Sequence, residues 1–125
     1  MKKRIMTRRR MNHIISELSN ALLLAGGRQI DMHLLREENG LRLRIEGDFS
    51  PEHQRGMERM VRLLQPQVRD PALVEAYWEL AGGDQYTSES ELALVGQMLD
   101  AAVVEVTEGH VRMDLFIAFE MGKRK

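Results

Sequence analysis

Cysteine is missing altogether from the 125 residues, which excludes a disulfide scaffold, an iron–sulfur cluster, a thiolate zinc site and a cysteine nucleophile. Long hydrophobic runs are missing too, since no apolar stretch approaches the roughly 20 residues of a membrane-spanning helix. The start MKKRIMTRRRMN has no apolar centre of the kind that directs secretion. A cytoplasmic protein with no membrane partner is therefore the expectation. Familiar enzyme signatures are equally absent: there is no Gly-Lys-Ser/Thr phosphate loop, no G-x-S-x-G elbow and no H-E-x-x-H pair. His13, His33, His53 and His110 are scattered without short metal-ligand spacing, and no carboxylate pair stands out as general acid and base. No catalytic residue and no metal ligand is assigned, and an enzyme is not expected.

What is there suits one globular domain. Hydrophobic residues make up 43% and charged residues 30% of the chain, enough to build a core at this length without staples. Charge is unevenly placed. Residues 1–10 carry six basic side chains and residues 123–125 three more, while residues 11–122 hold nine basic and nineteen acidic ones. An acidic body thus has basic ends, read as a flexible arm over 1–10 and a tail over 121–125 flanking a single domain over 11–120. Arg8, Arg9 and Arg10 in the arm are candidate contacts to an acidic partner or to the phosphates of a nucleic acid, which would make binding salt-dependent.

Apolar periodicity sets the order of elements. Ile14, Ile15, Leu18, Ala21, Leu22 and Ala25 predict an amphipathic helix over 13–25, stopped by Gly26-Gly27. Ile30, Met32 and Leu34, then Leu41, Leu43 and Ile45, alternate with polar residues around Asn39-Gly40, which predicts a hairpin over 28–46. Ser50-Pro51 opens a second helix, with Met57, Met60, Val61 and Leu64 inward, that ends before Pro66. Asp70-Pro71 opens a third, running to Gly82-Gly83, which bears Tyr77 and the lone tryptophan, Trp78. Tyr77 fits its apolar stripe, which leaves Trp78 as a candidate partner contact. Ser88 and Glu91 have capping-box spacing ahead of a fourth helix carrying Leu92, Val95, Leu99 and Ala102 inward. A second hairpin follows over 103–119, turning at Glu108-Gly109. Two hairpins with single apolar faces need a helical cover, so the expected fold is a two-layer α/β sandwich with an antiparallel or mixed four-stranded sheet. The methionines at 32, 57, 60 and 113 fall on core stripes, and no internal sequence repeat is visible.

The stretches HIISELSNALLLAGGRQIDMHLLREENGLRLRIEGDF and SELALVGQMLDAAVVEV…VRMDLFI resemble the two halves of a histidine-kinase ATP-binding domain, of the GHKL ATPase superfamily. In that family an asparagine on the helix before a hairpin holds magnesium beside the nucleotide, and Asn20 matches it. Ser16 stands where the family has an acid, with Glu17 one residue out of register. The family's D-x-G-x-G segment, whose aspartate reads the adenine amino group, aligns so that Gly47 takes the aspartate's place and Phe49 the first glycine's. Asp48 is the nearest substitute. Thr87, Glu89 and Glu91 stand where the resemblance calls for the three glycines of a phosphate loop, and carboxylates there repel a triphosphate. The resemblance therefore implies an ATPase-like fold with its nucleotide site largely lost. It points to an interaction or regulatory module in signal transduction, acting as a homodimer or on another protein, with no cofactor. Two alternatives follow from the same residues: an ATP/Mg-binding protein using Asn20 and Asp48, or a nucleic-acid-associated protein using its basic ends.

Overall fold

A computed structural model of the chain describes residues 2–65 and 89–119. The helix predicted over 71–81, with Tyr77 and Trp78, lies outside these residues, as do Thr87 and the tail over 121–125. The first helix, α1 (Lys2–Leu24), is longer than the 13–25 expected. The arm over 1–10 was expected to be flexible, and from Lys2 onward it is instead part of this helix. The physical reason is a stripe that begins early: Thr7, Met11, Ile14, Leu18 and Leu22, three or four residues apart, are all buried. α1 ends as its glycines predict. Gly26, at φ 88°, donates its N–H to the Leu23 carbonyl and Gly27 donates to Leu22, the paired bonds that satisfy the last carbonyls of a helix through a left-handed residue.

Two hairpins follow the expected plan. β1 (Ile30–Glu37) pairs with β2 (Gly40–Asp48), and β3 (Ala101–Thr107) with β4 (His110–Ala118), all antiparallel. β2 also pairs with β4, giving a four-stranded antiparallel sheet in the order β1-β2-β4-β3. The first turn is centred on Glu38-Asn39, one residue earlier than expected, because Gly40 already pairs with Glu37 and with Ala118. The second turn is centred on Glu108-Gly109, with Gly109 at φ 75°.

A single turn of 3₁₀ helix (Pro51–His53) leads into α2 (Gln54–Leu64), and Ser50 makes no side-chain cap there. α2 stops before Pro66 as expected. The last helix, α3 (Glu89–Met98), ends earlier than its apolar spacing suggested. Ala102, expected on its inner face, belongs to β3 instead, where it pairs with Leu115. Asp100 makes this break: its N–H donates to the Phe116 carbonyl at 2.8 Å and its carboxylate accepts the Ala118 N–H at 2.7 Å.

The three described helices cover one face of the sheet, giving the two-layer arrangement. Leu41, Leu43 and Ile45 of β2 and Val111, Met113, Leu115 and Ile117 of β4 are buried beneath Leu18, Leu22, Met57, Met60 and Val95. The two hairpins are related by a shift of 70 residues, which carries Asn39 to Gly109 and Phe49 to Phe119. After its central strand each unit reaches the other's turn: Phe49 donates to the Gly109 carbonyl, and Phe119 donates to that of Asn39. The structural repeat is faint in residue identity, with only Glu38/Glu108, Arg42/Arg112 and Phe49/Phe119 coinciding between residues 30–49 and 100–119, because a buried strand face requires only apolar alternation. None of the described helices is long and apolar enough to cross a membrane.

Candidate functional site

Asp48 lies at the end of the sheet where α1 turns into β1, and Asn20 lies on α1 itself. Asn20 is half-buried in the last two turns of α1, with Ser16 exposed one turn before it. Asp48 closes β2, and the chain beyond it is tied back to α1 by the Ser50 N–H, which donates to the Ala25 carbonyl at 2.9 Å. The Asp48 Oδ1 accepts two backbone hydrogen bonds, from Arg28 at 2.8 Å and from Gln29 at 3.0 Å. These bonds, Gln29's foremost, hold the Asp48 carboxyl below the usual carboxylate range. The carboxylate therefore fastens the start of the first hairpin, much as that of Asp100 fastens the end of the second.

Two shallow depressions occur elsewhere. One, of about 290 Å³, lies on the sheet face opposite the helices and is lined by His33, Arg44, Glu46, Arg112 and Asp114. The other, of about 260 Å³, lies where the end of α1 meets α2 and α3, between Leu24, Met57, Met60, Leu63 and Leu92. Neither is lined by Asn20 or Asp48, and both fall just short of the roughly 300–1,000 Å³ of a usual small-molecule site. Among the described residues no three His, Asp or Glu side chains gather as metal ligands.

The outer sheet face holds a charge network that sequence spacing did not reveal. Arg42 on β2 grips Glu37 through Nε at 2.7 Å and Nη2 at 3.4 Å, and reaches Asp114 on β4 through Nη1 at 2.7 Å. Glu37 first and Asp114 second, as acceptors, push the Arg42 pKa still higher. The guanidinium also lies 5.0 Å from the centre of the Phe116 ring. Arg44 adds a longer contact to the other oxygen of Asp114, at 3.4 Å. Farther along, Glu46 lies 3.7 Å from His110 and 3.8 Å from Arg112. Arg42, Arg44 and Arg112 are thus matched by carboxylates on the same face. The clue to the network was the alternation of charged residues along both hairpins, but its partners depend on the β2–β4 register, which spans about 70 residues of sequence.

Of the remaining candidate contacts, Arg8 and Arg9 are exposed on α1 and Arg10 is half-buried. Glu89 is the first described residue of α3. No protein-family model, no curated protein and no solved structure matches the chain.

Proposed function

We propose that this chain is a non-catalytic interaction module, a degenerate relative of the histidine-kinase ATPase fold that acts in the cytoplasm by binding another protein chain, with no cofactor. The observation that carries the reading is the state of Asp48. It is the carboxylate best placed by the resemblance to read an adenine amino group, and its Oδ1 is instead held by the backbone N–H groups of Arg28 and Gln29. A residue fixed in this way stabilises a chain connection rather than a base. The replacement of the three phosphate-loop glycines by Thr87, Glu89 and Glu91 supports the same reading, because side chains block close backbone approach and carboxylates repel phosphate.

Calorimetric titration of ATP and ADP, with and without magnesium, tests the proposal. No binding at millimolar nucleotide is the expected result. Micromolar, magnesium-dependent binding that is lost in Asn20→Ala would overturn it in favour of a working nucleotide site.

A further inference from the structure

We propose that the outer edge of β3 is the surface through which two copies of this chain pair, strand against strand in antiparallel sense, so that two four-stranded sheets become one of eight. The inference deepens the interaction reading above and rests on it for the existence of a partner. It begins from the two ends of the sheet. Among the described residues no strand pairs beyond β1 or β3, so each presents its outer backbone donors and acceptors to no described strand. Proteins guard such edges with charged residues, prolines, bulges or charges turned toward the core.

β1 is guarded in this way and β3 is not. Asp31, His33, Arg36 and Glu37 stand within the eight residues of β1, and Arg36 pairs with Leu41 on the core-facing side of the sheet. β3 reads AAVVEVT, pairs with β4 without a bulge from Ala101 to Thr107, and carries Glu105 as its only charge. Val103, the third of its seven residues, is 62% exposed, on the face away from the helices. An extended strand is the one occupant that meets the backbone groups of this edge.

Self-pairing fits the side chains as well. A two-fold axis through Val103 sets it against the same residue of the second copy, Ala102 against Val104, and Ala101 against Glu105. Directly opposed apolar pairs of this kind stabilise a sheet, whereas an axis through Glu105 would oppose two carboxylates. With a formal net charge of −1, the chain sets little overall Coulombic repulsion against its copy. The Thr107 carbonyl is held by Gln54 Nε2 at 3.1 Å, which limits the free edge to Ala101–Val106. So short an edge buries far less than the roughly 1,600 Å² of a tight complex, and the pairing is therefore weak and concentration-dependent.

Because the chain has no native cysteine, a single introduced thiol reports the contact in the full-length protein. Oxidation of Val103→Cys at about 100 μM, a concentration suited to a weak complex, is expected to give a disulfide-linked dimer as the main product. Leu34→Cys, on the guarded edge, is expected to cross-link several-fold less. Val103→Lys is expected to shift the native protein to monomer with its circular dichroism unchanged. Equal cross-linking at the two positions, or a Val103→Lys protein that dimerises like the wild type, would overturn the proposal. Should the lysine variant fail to fold, the cross-linking comparison still decides. Magnesium-dependent ATP binding by a chain that cross-links through position 103 would sink the function proposed above and leave the edge pairing standing. Absence of both cross-linking and nucleotide binding would do the reverse.

Discussion

Asp48 shows how one carboxylate ties a local turn to the response of the molecule to acid. Its pKa is held down by the Gln29 and Arg28 N–H groups, so the stabilisation it gives is present above the ordinary carboxylate pKa of about 3.9 and is lost as the pH falls through the lowered folded value. In Asp48→Ala the two N–H groups lose their acceptor. The expected outcome is a lower urea midpoint at pH 7, with the gap to the wild type closing as the pH is taken below about 4. A gap of constant size across that range would show that the ionised carboxylate is not the acceptor that matters. The position of Asp48 at the end of the first hairpin was legible in the sequence. Its engagement was not, because the bond partners are backbone groups whose direction depends on how α1 ends.

At the scale of elements, two helical glycines with opposite surroundings make a paired test of the packing. Gly56 on α2 has open space where a Cβ would stand, so Gly56→Ala is expected to stabilise by about 0.5–1 kcal/mol through helix propensity and a less flexible unfolded chain. Gly96 on α3 is buried against α2, where a Cβ would collide with the Leu63 carbonyl. Gly96→Ala is expected to cost about 1–3 kcal/mol, the usual penalty of overpacking. Chemical denaturation of both variants checks the pair, and a stable Gly96→Ala protein would contradict the close contact of α2 with α3. Helices were legible where an apolar stripe stood clear of other signals, as in α2 with Met57, Met60 and Leu64. The first turns of α1 were hidden by six basic residues, although Thr7 and Met11 continue the stripe toward the N-terminus. The end of α3 was misjudged because Val95, Leu99 and Ala102 keep helical spacing while Ala102, Val104 and Val106 keep strand spacing. Asp100 settles that competition through its bonds to β4.

For the whole molecule, the sequence disclosed two hairpins and a helical cover, which is enough for a two-layer sandwich. It did not disclose that β2 and β4 join the hairpins, nor that each unit reaches the turn of the other through Phe49 and Phe119. Such pairings lie about 70 residues apart in the chain, and apolar alternation is the same in any register that keeps the buried face buried. The joined arrangement places β1 and β3 at opposite edges of the described sheet, one with four charged or titratable residues and one with Glu105 alone. It also leaves Asn20 on α1 and Asp48 at a chain connection, both outside either depression. We propose that a molecule built this way acts by pairing and not by holding a nucleotide. Sedimentation velocity of the wild-type chain across a range of concentrations, with and without magnesium and ATP, tests that claim most directly. The account predicts a monomer–dimer equilibrium that shifts with protein concentration and is indifferent to nucleotide. A monomer at every concentration, or a dimer that forms only when magnesium and ATP are present, would contradict it.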